Sequence, residues 1–217
     1  MPIILIVDDR AQQRQQVVEL TKLSIPKDFS EWTAEGIEPL KSKSDYQAHI
    51  TEHDIAVLVL DEKLQEQVSE RTNAAVDYDG HELVKFLRPL FPELPIFVVT
   101  AFDQEQELQN AASDVEGIIP RKQFYKEPKT HTARMIRSGQ RFSTSMQEDL
   151  IKLADLSKKV AIGEGSEEEI KELNGIREKL SLSFSGTDLV YAKDLIPKAE
   201  KLLDSAQQLL NKISQGR

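Results

Sequence analysis

The 217-residue chain contains no cysteine, which excludes disulfides and thiolate metal sites and fits a reducing compartment. It has no apolar run near the ~20 residues needed to span a bilayer. No basic region precedes its first apolar stretch, so a secretory leader is not expected either. A soluble, cytoplasmic protein is the expectation. Positive charge is in short supply: 28 Lys and Arg stand against 37 Asp and Glu, for a formal charge of −9. The deficit is local, because residues 1–133 hold 14 basic and 24 acidic side chains while the remainder holds 14 and 13. Neither part carries the basic footprint of a nucleic-acid binder, so such a partner is not expected. The chain is long enough for one large domain or two modest ones, and its apolar content is ordinary for a globular core.

What the chain does have is a series of short, strongly apolar, β-branched runs. Ile3–Val7 is one, and it stops abruptly at Asp8 and Asp9. Ile55–Leu60 repeats the pattern and stops at Asp61; Ile96–Thr100 ends in a hydroxyl; the short run Gly117–Pro120 is followed by Arg121 and Lys122. Such runs read as strands buried on both faces. Residues 32–34 offer a weaker fifth strand, with a short helix over residues 42–50 behind it. Helical patterns follow Asp9, run over residues 80–88 with Leu83, Val84 and Leu87 on one face, and recur over residues 103–112. Residues 65–79 are polar and without period, and read as a long loop. Strands alternating with helices predict an α/β fold, a doubly wound five-stranded parallel sheet.

Beyond residue 127 the strand signal disappears, which predicts one domain over residues 1–127 and a helical domain over residues 128–217. Ser145 with Glu148, and Ser166 with Glu169, fit the reciprocal capping pattern that opens a helix. Met146, Leu150, Leu153 and Val160 form one apolar stripe, and Ile170, Leu173, Ile176 and Leu180 another, with Gly163 and Gly165 between them. Pro197 fits the first turn of a last helix bearing Leu202, Ala206, Leu209 and Ile213. These stripes fit a small bundle core, or a docking or homodimer surface.

In open α/β sheets ligands bind beyond the carboxyl ends of the strands. Asp8, Asp9, Asp61, Thr100 and Lys122 all fall there. Either aspartate of the first pair also fits a helix cap, and each of the others has an ordinary structural reading. Three carboxylates brought together repel one another and call for a cation; a hard divalent ion such as Mg²⁺ suits them. A nearby ammonium and a hydroxyl suit a phosphoryl group, so the set fits a carboxylate that attacks a phosphoryl donor.

On Val7-Asp8-Asp9, Val59-Leu60-Asp61, Val99-Thr100-Ala101 and Lys122, in that order, the chain resembles the receiver domain of two-component response regulators. The resemblance covers about the first 126 residues and implies a flavodoxin-like receiver. It makes Asp61 the phosphoacceptor. It assigns Mg²⁺ to Asp8, Asp9, Asp61 and the backbone carbonyl of Lys63, and phosphoryl recognition to Thr100 and Lys122. It further implies a sensor histidine kinase or phosphotransfer protein as donor, with no catalysis beyond self-phosphorylation and self-dephosphorylation. The helical tail is then the route to a downstream protein partner. The sequence departs from the family in four ways. No proline follows the acceptor, where Glu62-Lys63-Leu64 leads into the long loop. Gln123 rather than proline follows Lys122, and Ile119 stands where an aromatic is usual. The tail matches no familiar output domain. These departures leave a second expectation, a phosphorylation-independent scaffold of receiver shape. A metal-dependent phosphatase with an aspartyl nucleophile normally has a second Asp two residues on, which Asp8-Asp9-Arg10 lacks.

Overall fold

The apolar runs become the strands of one sheet. A computed structural model describes residues 1–68 and 74–183. Its strands are β1 (Ile3–Val7), β2 (Thr33–Ile37), β3 (Ile55–Leu60), β4 (Ile96–Thr100) and β5 (Gly117–Pro120). They pair in parallel in the order β2-β1-β3-β4-β5. The helices are α1 (Ala11–Ser24), α2 (Asp45–Glu52), α3 (Gly80–Leu87), α4 (Gln106–Asn110), α5 (Arg121–Lys126), α6 (Pro128–Ala161) and α7 (Glu167–Ser183). Every residue of β3 and of β4 is buried, as expected of central strands covered on both faces. The weak second strand is real, but it runs three residues further than residues 32–34 promised.

Alternation along the strands divides the core in two. Leu5, Val7, Leu58 and Leu60 pack with Tyr46 and Ile50 of α2 and with Leu83, Val84 and Leu87 of α3. Ile4, Ile6, Val57, Val59, Phe97 and Val99 face the other way, against Val17 of α1 and Met135 and Ile136 of α6. Chain order reverses between β2-β1 and β3-β4-β5, which opens a crevice at the carboxyl ends of β1 and β3.

The fold departs from expectation most clearly in α6. The helix runs unbroken through Ser145, so the capping pattern there opens nothing; Ser145 instead donates to Glu93 (2.9 Å). No proline and few turn-forming residues interrupt residues 129–161, so local preference carries the helix on. Its first half belongs to the sheet's core: Thr132, Met135, Ile136 and Gly139 are buried against it. A Cβ at Gly139 would stand 2.5 Å from the Trp32 ring and 2.7 Å from Val57, so only glycine lets the helix approach this closely. The packing therefore has no break at residue 127, and residues Met1–Ser183 form one compact unit.

Past Phe142 the helix leaves the sheet and α7 folds back on it. Gly163, with φ of +77°, turns the chain, and the second capping pattern holds: Ser166 N–H donates to Glu169 (2.9 Å) while Glu169 N–H donates to Ser166 Oγ (3.2 Å). Leu156, Leu173, Ile176 and Leu180 are buried in the hairpin, whereas Leu150 and Ile170 from the expected stripes are exposed. Lys179 joins the two arms of the hairpin through Asp149 (2.6 Å) and ties it to the sheet domain through Glu93 (2.8 Å). The expected helix after Pro197 lies outside the described residues.

Candidate functional site: carboxylates at the strand ends

β1 and β3 are neighbours in register, with Val7 opposite Leu60, so the residues that follow them meet. Asp8 and Asp61 are buried, Asp9 is half-buried, and one carboxylate oxygen from each lies within 4.8 Å of the others. Backbone donors hold two of them in place: Arg10 N–H donates to Asp8 Oδ1 (2.8 Å) and Glu62 N–H to Asp61 Oδ1 (2.8 Å). Burial, followed by the nearby Asp61 charge, pushes the Asp8 carboxyl up to about 6. Burial also raises Asp9. Thr100, fully buried at the end of β4, accepts a hydrogen bond from the Phe102 N–H (3.2 Å).

The cation in this pocket is Arg121. Its Nη2 lies 2.8 Å from Asp61 Oδ2 and 3.1 Å from Asp8 Oδ2. Lys122, which the sequence placed here, is exposed. The reason is register. Thr100 pairs with Pro120, the last residue of β5, so the first position beyond the strand edge is residue 121. The chain then turns at once into α5, and the next side chain rotates away to solvent. An arginine here differs from the expected lysine in kind, because one planar guanidinium can engage two carboxylates at a time.

Two further features had no signal in the sequence. The loop after β3 crosses the pocket: Gln67 N–H donates to Asp9 Oδ2 (2.7 Å), and Glu66 pairs with Arg10. Leu64, Gln67 and Val76 line a small cavity with Asp9. The far end of the loop is pinned by Tyr78, whose hydroxyl bonds the Leu40 carbonyl and the Tyr46 hydroxyl inside the core. Backbone contacts of this kind leave no trace in composition. The second feature is Glu62, fully buried beside the pocket and facing away from it, toward His81. Lys63, expected to lend its carbonyl, directs its ammonium to Glu105 (2.7 Å) and Asp79 (3.3 Å). Gly80 closes this turn against the Asp61 carbonyl, where a Cβ would come within 2.3 Å.

The donor set fits a hard dication. Asp9 Oδ1 is buried without a hydrogen-bond partner. Among the described residues one guanidinium is paired with the cluster of three carboxylates, which leaves an excess of negative charge, and all candidate ligands are oxygens. The residues therefore could hold a metal ion.

No family model and no curated protein matches the sequence. Among solved structures, the chain is similar to the non-phosphorylated HemR receiver domain of Leptospira biflexa, at 21% identity over 63% of this chain and 94% of that one, with a TM-score of 0.45. It is similar to the response regulator TrrA of Thermotoga maritima in complex with Mg²⁺–BeF, at 15% identity over 62% and 99%, TM-score 0.45. A signal receiver domain of an HD-domain protein from Pseudomonas fluorescens gives 13% identity over 64% and 97%, TM-score 0.46. The strand order is flavodoxin-like, the order that receiver domains use. Among the described residues no helix is long and apolar enough to cross a membrane.

Proposed function

We propose that this protein is a phosphorylation-controlled response regulator with Asp61 as phosphoacceptor. The observation that carries the reading is the buried Asp61 carboxylate at the end of the central strand, grouped with Asp8 and Asp9 and touched by Arg121. Asp61 Oδ2, once Arg121 releases it, attacks the phosphorus of a phosphohistidine on a sensor kinase or phosphotransfer protein, or of an acyl phosphate. An O–P bond forms to Asp61 as the P–N or P–O bond to the donor breaks, and the departing group keeps the electron pair. Arg121 exchanges its bond to Asp61 for the incoming phosphoryl oxygens, and the Thr100 hydroxyl turns to donate to them. Mg²⁺ supplies charge stabilisation for the transfer, and Asp8, Asp9, Asp61 and the Lys63 backbone carbonyl would hold it. Water later hydrolyses the acyl phosphate and returns Asp61 to its carboxylate, so that self-phosphorylation and self-dephosphorylation are the proposed chemistry. The sheet domain is taken to include the first half of α6, and output passes through the remaining helical region to a protein partner in the cytoplasm.

Incubation with acetyl phosphate and Mg²⁺ is expected to add one phosphoryl group by intact mass, and Asp61→Asn is expected to abolish it. Two contacts favour the alternative, a scaffold that does not switch: Arg121 already occupies Asp61 Oδ2, and Gln67 N–H already occupies Asp9. Absence of any adduct, with partner affinity equal for wild type and Asp61→Asn, would establish that alternative.

A further inference from the structure

Asp61 and Glu62 are consecutive, yet they belong to different clusters. Glu62 is completely buried, a costly place for a carboxylate unless it is paired. His81 supplies the partners: its backbone N–H donates to Glu62 Oε2 (3.0 Å) and its ring Nδ1 lies 2.5 Å from Oε1. Asp79 completes the group. It is 7% exposed, its Oδ2 is held by Lys63, and its Oδ1 is buried with no hydrogen-bond partner. One ligand atom from each of Glu62, Asp79 and His81 lies within 4.8 Å of the other two.

We propose that Glu62, Asp79 and His81 form a second divalent-metal site that takes a borderline transition ion such as Zn²⁺. Two carboxylates and one imidazole are ligands that Zn²⁺ accepts and that Mg²⁺, which prefers oxygen alone, does not select. The ion takes the place of the hydrogen bond between Glu62 and the His81 ring. Ligand atoms about 2 Å from a tetrahedral ion stand about 3.3 Å apart, so this pair has to open by less than an ångström, on the order of 0.8 Å. His81 is free to make that move, because its side chain sits at the edge of the cluster and is 14% exposed. Lys63 stays on Asp79 Oδ2 and leaves the orphaned Oδ1 for the ion. Bound there, the ion clamps the end of β3 to the start of α3. None of this depends on phosphorylation.

The test is Zn²⁺ titration of the full chain by calorimetry, with Mg²⁺ in excess to occupy the strand-end acids and Co²⁺ as an optical probe of coordination. One equivalent is expected, weakened at least tenfold by His81→Ala or Asp79→Asn and unchanged by Asp9→Asn. In wild type, the His81 ring resonances are expected to shift on adding one equivalent, a readout that needs no variant to fold. Failure to bind one equivalent, or unmoved His81 resonances, overturns the proposal. So does binding lost in His49→Gln/His53→Gln, since those two rings, one in α2 and one just past its end, are stacked 4.3 Å apart and form a competing pair.

Discussion

Asp61 and Glu62 solve the same physical problem in opposite ways. Both are buried carboxylates at the end of β3, and the alternation of the chain sends them to different sides. Glu62 is hydrogen-bonded within its own neighbourhood: a histidine takes both of its oxygens. Asp61 is placed beside two further acids with a single guanidinium among them, and the charge is left over. A buried ion pair alone is weak grounds for stability. An under-compensated one, at the ligand-binding edge of a sheet, is better explained by something that arrives to complete it.

Substitutions at the two clusters sharpen this contrast. Arg121→Met removes the cation that, among the described residues, pairs with the Asp61 and Asp8 carboxylates, and is expected to destabilise the metal-free protein by about 3–5 kcal/mol in urea unfolding. Added Mg²⁺ is expected to recover part of that loss, which it would not do were Arg121 simply a packing residue. Glu62→Gln is expected to cost about 1–3 kcal/mol through its hydrogen bonds to His81, with no recovery by Mg²⁺. Equal recovery at both sites would erase the distinction.

Asp8 tests the left-over charge through pH. Its carboxyl titrates at about 6 in the fold against 3.8 when unperturbed. Between those values the folded state holds a proton that the unfolded state has lost, so stability falls as pH rises from 4 to 6. Against Asp8→Asn, which cannot titrate, wild type without metal is expected to lose up to about 3 kcal/mol across that window. A flat difference would contradict the crowding. The smallest effect is expected at Lys122→Ala: within about 0.5 kcal/mol in stability, as for an exposed side chain, and no change in phosphoryl uptake.

The strands and their terminal acids were legible because a β-branched run ending in a carboxylate is a local pattern, and parallel pairing then brings the ends together. The cation was not legible to within one residue. Arg121 and Lys122 are both basic, and only the pairing of Thr100 with Pro120 decides between them. Ser145 misled for a related reason: a capping pattern marks a helix start only where the preceding residues are not themselves helical, and here they belong to α6. The strap made by Gln67 and the clamp made by Glu62 and His81 join residues far apart in the chain, the first through a backbone N–H that any residue could supply.

The most direct measurement is chemical. An aspartyl phosphate is reduced by borohydride to homoserine, and peptide mapping locates the converted residue. After acetyl phosphate and Mg²⁺, homoserine is expected at position 61 and nowhere else. Conversion at another carboxylate, or none under conditions where the protein is folded, would contradict the assignment of Asp61 as the phosphoacceptor.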